Sequence, residues 1–240
     1  MYIIYMMNIL ILRIFNHSPE YDAMYDIHMK FNNGSIFVLY NPDLSSDYNY
    51  NDKTKLLEIK GTESFMPGLL DKTIRAMEIC LKLFKFDYLI RSNISTVIDI
   101  EKFNKEILAY NSDFKYGGKV LELYWLHPEA GIIDHTHDGL LFAEGCDIVL
   151  SRESVVSLVS EKYKLNTNVV DDLSIGIFFK EKNIKPIFLS YYHAKYDIDK
   201  DKIGNVIFIR NKSHVHERER DIFNIDLEYN CIYKHYNKLE

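Results

Sequence analysis

The chain has 240 residues, 47% of them apolar and 27% charged, which is enough to close a sizeable hydrophobic core within one globular domain. Ten glycines, five prolines and three cysteines exclude collagen-like, low-complexity and disulfide-scaffold classes. Lys and Arg number 29 against 35 Asp and Glu, a formal charge of −6, so the basic field that anchors nucleic-acid binders is missing and no nucleic-acid partner is expected.

The N-terminal run MYIIYMMNILILRIF is apolar, but Asn8 and Arg13 interrupt it well short of the roughly 20 residues that cross a bilayer. It carries no basic flank and no small-residue cleavage site. It therefore reads as a buried first strand over residues 8–15 rather than a membrane span. Further strands are expected at Ser35–Tyr40, Leu56–Ile59 and residues 88–91, 120–125, 147–150, 187–191 and 206–209, most of them rich in Ile, Val, Tyr and Phe.

Helices fall between these strands. Leu70, Ile74, Met77, Leu81 and Phe84 recur at helical spacing on one face. Asp99 is placed to cap a helix that carries Ile100, Phe103 and Ile107 inward, and Ser151 one that buries Val155, Leu158 and Val159. Asp171 is placed to cap a fourth, running through Ile177 and Phe178 to Asn183. Residues 41–54 and 197–205 are polar and read as surface loops. The alternation implies an α/β fold with a mainly parallel central sheet flanked by helices, and residues 1–240 read as a single domain. Cys80, Cys146 and Cys231 lie far apart without a CxxC pair, as expected of reduced thiols in a cytoplasmic protein.

In open α/β sheets ligands gather beyond the carboxyl ends of the strands, which singles out the segments that follow strands. Arg91, Ser92, Asn93 and Ser95 form a polar cluster that fits either a nucleotide pocket or an ordinary strand-to-turn segment. Asp171 and Asp172 open a helix; capping and the helix dipole account for one carboxylate, while crowding can turn the other into a general base. Asp134, His135, His137 and Asp138 offer imidazole and carboxylate ligands for a metal, or form a plain polar loop beside Gly139. His214 and His216 adjoin a charged stretch, 217–220, that reads as a solvated segment. Neither GxGxxG nor GxxxxGK[ST] occurs, which argues against Rossmann dehydrogenases and P-loop enzymes.

Three stretches, taken together, carry a resemblance. SFMPGLLDKTIRAMEICLKLFKFDYLIRSNISTVIDIEKF places Lys72-Thr73 on a helix before the strand segment Asp87 to Arg91, with Thr96 following. FAEGCDIVLSRESV carries Gly145, Leu150, Ser151 and Arg152. DDLSIGIFFKEKNIKP carries Asp171, Asp172, Gly176, Lys182, Ile184, Lys185 and Pro186. In this order they resemble GT-A glycosyltransferases of the β-1,3-galactosyltransferase and Fringe type, over roughly residues 56–190, and glycosyltransferase-like proteins of large DNA viruses.

The resemblance implies a GT-A, Rossmann-like domain that performs inverting transfer from a nucleotide sugar, a UDP-sugar by family, to a hydroxyl of a glycan or protein. Asp172 matches the family's base, and Asp171 would hold the helix start. Lys72, Arg91, Ser92, Asn93, Ser95 and Gly145 fall in donor-binding positions. The family holds Mn²⁺ or Mg²⁺ on an acidic triplet, whereas this chain has Asn93, Ile94 and Ser95 there, weak neutral ligands at best. Cations would then have to offset the diphosphate charge, with Arg91, Arg210, Lys212 and His193 as candidates. For a viral protein the expected location is the host cytoplasm. Two other readings stand beside this one: a catalytically silent domain that binds a nucleotide sugar or glycan, and a metal hydrolase built on the DHTHD segment.

Overall fold

The computed structural model describes residues 7–31, 34–110, 113–194, 198–199, 201–213 and 218–236. Its centre is an eight-stranded sheet. Strands β1 (Ile9–Ile14), β2 (Ser35–Tyr40), β4 (Leu56–Ile59) and β5 (Tyr88–Asn93) run parallel in the order β5-β1-β2-β4, and β3 (Tyr48–Asn51) closes that edge antiparallel. Beyond β5, β10 (Asp147–Ser151) enters antiparallel, followed by β7 (Tyr116–Gly118) and β11 (Ile187–Phe188), which are parallel to each other. The architecture is the mainly parallel, helix-flanked sheet expected.

Alternation along β1 assigns its two faces. Leu10, Leu12 and Ile14 point to one core, where they meet Leu70, Ile74 and Met77 of α2 (Gly68–Leu83). That core also takes in Val155 and Leu158 of α4 (Arg152–Ser160) and Phe178 and Phe179 of α5 (Asp171–Glu181). Ile11 faces the other way, toward Phe103 and Ile107 of α3 (Ile100–Leu108). Asp99 caps α3 by accepting from the Lys102 N–H at 2.9 Å, and Ser151 caps α4 by accepting from the Ser154 N–H at 3.3 Å.

On that second face, β6 (Thr96–Ile98), β13 (Phe208–Asn211) and β12 (Tyr191–Ala194) make a three-stranded sheet. Against it pack α1 (Pro19–Phe31) and α6 (Arg218–Tyr236), neither of which the sequence reading assigned. Residues 218–220, read as solvated charge, open α6, whose Ile225, Tyr229 and Ile232 are buried. His214 and His216 lie outside the described residues.

Other boundaries shift for local reasons. The strand expected over residues 120–125 ends as β8 (Val120–Glu122), paired with β9 (Leu141–Ala143), and Tyr124 and Trp125 stand in the connection. The one expected over 187–191 divides into β11 and β12, which belong to different sheets. Part of the 41–54 loop is β3, an edge strand whose Asn49 and Asn51 are exposed. No helix among the described residues is long and apolar enough to cross a membrane. Arg13, which interrupts the apolar run, is fully buried in mid-sheet.

Candidate active site

The sheet's parallel strands end at a groove made of two adjoining cavities of about 410 and 330 Å³. Both are lined by Phe65, Leu69, Asn93 and Arg210. The first is completed by Phe15, Tyr21, Glu63, Lys72, Ser95 and Arg218, and the second by Trp125, His127, Glu144, Gly145, Asp172 and Lys212. The groove thus lies beyond the carboxyl ends of β1 and β5, where an α/β sheet presents ligands.

Strand β5 runs through Asn93, two residues further than expected, so the polar cluster is partly sheet. Ser92 is buried, donates its hydroxyl to the carbonyl of Cys146, the residue before β10, at 3.0 Å, and lines neither cavity. The turn after Asn93 is braced from behind. Arg13 donates to the Thr96 carbonyl at 2.6 Å and to that of Asn93 at 3.4 Å. His28 Nε2 lies 2.7 Å from the Ile94 carbonyl, and its Nδ1 lies 2.6 Å from the Tyr229 hydroxyl. A carbonyl only accepts, so Nε2 carries the proton and the tyrosine donates to Nδ1. Burial, with Arg13 adjacent, pushes the His28 pKa well below its usual value, which keeps the ring neutral. Neither Arg13 nor His28 was legible as part of the site, because nothing in one sequence reports a brace between distant elements.

At the other side of the groove α5 begins with the two aspartates. Its N-cap is Val170, without a side-chain cap, so Asp171 does not cap as the sequence suggested. Its buried carboxylate instead takes Arg91 Nη2 at 2.7 Å and the Thr73 hydroxyl at 3.2 Å. Arg91 Nη1 donates to Asn93 Oδ1 at 2.9 Å. Arg91, buried to 1% exposure, ties β5 to α5 and also lines the second cavity, its Nε without a hydrogen-bond partner among the described residues.

Asp172 turns toward the second cavity. Its Oδ2 accepts from the Gly145 N–H and its Oδ1 from the Leu173 N–H, each at 2.8 Å. A Cβ at position 145 would stand 3.1 Å from Asp172 Oδ2 and 3.4 Å from Arg91 Nη1, so a side chain there would push the carboxylate back by a few tenths of an ångström. Burial, then the neighbouring Asp171, pushes the Asp172 pKa up to about 6, while the two N–H bonds and Arg91 oppose the rise.

The remaining candidates divide. Lys72 is buried and bound to Glu63 at 2.5 and 2.6 Å and to the Phe15 carbonyl at 3.1 Å, and its pKa is lowered by burial. Arg210 lines both cavities, and its buried Nη1 has no hydrogen-bond partner among the described residues. Lys212 lines the second, its pKa lowered by burial and then by Arg210 and Arg218. Arg210 and Lys212 adjoin, and Arg218, which the sequence did not suggest and which is paired with the buried Asp221 at 2.7 Å, lines the first cavity. His193 lines neither cavity and points its Nε2 to the Lys212 carbonyl at 3.3 Å.

The residues in the triplet position do not suit a divalent cation. Asn93 Oδ1 already accepts from Arg91, Ile94 packs into the core of α1 and α6, and Ser95 is buried. Among the described residues no three His, Cys, Asp or Glu side chains converge as a metal-binding group. Asp134, His135 and Asp138 lie exposed, and His137 partly so, in the connection from β8 to β9, and none of the four lines either cavity. There Asp134 accepts from the Thr136 N–H at 2.9 Å and His135 pairs with Asp138 at 3.0 Å, as a self-contained turn does. The metal-hydrolase reading has no geometric support.

Sheet order, helix layers and a groove at the strand ends define a Rossmann-like α/β fold. Fifty-three solved chains are similar to it in structure. One is a glycosyltransferase involved in the glycosylation of the major capsid of PBCV-1, with 10% identity and a TM-score of 0.52 over 92% of this chain and 99% of that one. At that identity the likeness is one of fold. The sequence itself matches no family model and no curated protein.

Proposed function

We propose that this chain is an inverting glycosyltransferase of the Fringe-like GT-A type, using a nucleotide-sugar donor, most simply a UDP-sugar. One observation carries the reading. A carboxylate with its pKa raised to about 6, Asp172, is fixed by two backbone N–H groups at a helix start and shares a cavity with Asn93 and Arg210 at the sheet's strand ends.

In this scheme the nucleotide occupies the cavity of Phe15, Tyr21 and Glu63, and the diphosphate lies by Arg210, with Lys212 and Arg218 adding charge. The acceptor enters the second cavity. Its hydroxyl oxygen attacks the anomeric carbon while Asp172 takes the proton, and the bond from that carbon to the phosphate oxygen breaks. The nucleoside diphosphate departs with the electron pair, stabilised by the cations. Arg91 and Asp171 position: they hold Asn93 and the start of α5 in register. No step is routed through a metal, because the side chains in the triplet position do not form a site for one.

A silent binding domain is favoured by one observation alone, the engagement of Asn93 by Arg91 where the family has a carboxylate. The two readings part on turnover. A thermal-shift screen of UDP-, GDP- and dTDP-sugars, with and without Mn²⁺, finds the donor, since a ligand of the native state raises the melting temperature by mass action. Product analysis with the stabilising donor then decides: sugar release or transfer supports the enzyme, and tight binding without either supports the silent domain.

A further inference from the structure

We infer that the second cavity is built for a carbohydrate acceptor, with the indole of Trp125 as the platform on which a pyranose ring stacks; this rests on the glycosyltransferase reading and narrows its acceptor. Trp125 is the only tryptophan in the chain and remains 42% exposed while lining the cavity that holds Asp172. Its open face lies on the wall of the polar groove, where a ligand that covers it gains apolar burial. Phe65, 53% exposed, lines the same cavity.

The platform is rigid and registered to the base. Trp125 lies in the connection from β8 to β9, which is pinned by the Leu123 N–H to the Leu140 carbonyl at 3.0 Å and the Gly139 N–H to the Leu123 carbonyl at 2.8 Å. Leu123, Ile132, Leu140 and Phe142 form a small core with Val169 and Leu173, and Leu173 is the residue after Asp172. The Val170 N–H donates to the Ala130 carbonyl at 3.0 Å, and a Cβ on Gly131 would fall 1.9 Å from the Asn168 carbonyl oxygen. Platform and α5 are therefore joined through one small core and one backbone hydrogen bond. The Trp125 and Phe142 rings are 6.4 Å apart, which supports the indole from one side.

The chemistry around it suits a sugar. The C–H groups on one pyranose face carry slight positive charge and meet the electron-rich ring face, while the hydroxyls at the rim need donors and acceptors. His127 supplies a donor: its Nδ1 accepts from the Ala130 N–H at 3.1 Å, so the neutral ring carries its proton on Nε2. Glu144 supplies an acceptor and Lys212 a further donor in the same cavity.

A single tryptophan makes its own emission a reporter of the subsite. Selectively excited emission is followed while the full chain is titrated with methyl glycosides of glucose, galactose, mannose, fucose, rhamnose and xylose, and with a Ser/Thr-containing peptide. The same protein is titrated with UDP by thermal shift. At least one glycoside should change the emission saturably. By saturation-transfer NMR, Trp125→Ala should weaken that glycoside about tenfold and Trp125→Phe should retain most of the affinity, with the UDP response unchanged in both. Emission that answers to the peptide and to no glycoside, or glycoside binding unaltered in Trp125→Ala, overturns the inference while UDP binding leaves the transferase reading intact. Glycoside binding without any nucleotide or nucleotide-sugar response would instead overturn the transferase reading and leave the subsite standing.

Discussion

Replacing Arg91 by alanine should damage the fold before it damages donor binding. The guanidinium is 1% exposed, holds Asp171 at 2.7 Å and Asn93 Oδ1 at 2.9 Å, and its removal leaves a buried carboxylate with only the Thr73 hydroxyl at 3.2 Å. Breaking one partner out of a buried pair costs about 3–5 kcal/mol, because the other charge stays desolvated. For a chain of this size each kcal/mol lowers the melting temperature by about 2–4 °C, so the loss should be of the order of 10 °C. A second effect is electrostatic. Arg91 opposes the rise of the Asp172 pKa, so its removal should move the acidic limb of the pH–rate profile to higher pH. Differential scanning calorimetry with a pH–rate series measures both, and Arg91→Ala/Asp171→Asn should recover part of the stability by removing the stranded charge. A variant that melts like the parent yet has lost donor affinity would refute this argument and return Arg91 to the diphosphate.

Arg210→Ala and Lys212→Ala should each lower kcat/KM by about a hundredfold, the effect of removing one transition-state charge contact, with melting temperatures close to the parent's. Turnover should persist in EDTA; complete loss that Mn²⁺ restores would show a metal site outside the triplet position. Glu228, buried and bonded to Asn211 at 2.8 Å, has its pKa raised from 4.5 to about 8, chiefly by burial. The folded state therefore holds a proton that the unfolded chain has released, and stability should fall between about pH 4.5 and pH 8, at a slope of up to about 1.4 kcal/mol per pH unit. Glu228→Gln should flatten that slope in urea titrations and be the more stable form at pH 8, whereas parallel pH profiles would show that Glu228 is not held protonated.

The parts of the fold legible in the sequence are those whose side chains declare one environment. β1, β2 and β4 are short apolar runs, α2 repeats its buried face at helical spacing, and α3 and α4 begin at Asp99 and Ser151, whose caps are made as expected. Helix α6 was hidden by the charges of Arg218, Glu219, Arg220 and Asp221, although Ile222, Ile225, Tyr229 and Ile232 follow at spacings of three, four and three. Helix α1 was hidden because its inward face includes His28, a polar residue that serves as a brace. Of the site, the pairing of Asp171 with Asp172 and a separate role for each are legible, but not the contacts that set those roles. Those contacts involve Arg91 and Gly145, which lie far away in sequence and adjacent only in the folded chain. Closeness to strand ends points to Arg91, Arg210, Lys212 and His193 alike; the structure puts the first three on the second cavity and His193 on neither, since strand-end position does not reveal which way a side chain is engaged.

The central claim is that Asp172 is the general base, and the most direct measurement is turnover of the stabilising nucleotide sugar by Asp172→Asn beside the parent. The amide keeps the shape, but its single acceptor oxygen can serve only one of the Gly145 and Leu173 N–H groups, and it cannot take a proton. Donor binding by thermal shift should be preserved, kcat should fall by about 10²–10⁴, and the parent's acidic limb near pH 6 should disappear from the residual activity. Asp172→Asn with parental kcat and an unchanged acidic limb would contradict the assignment.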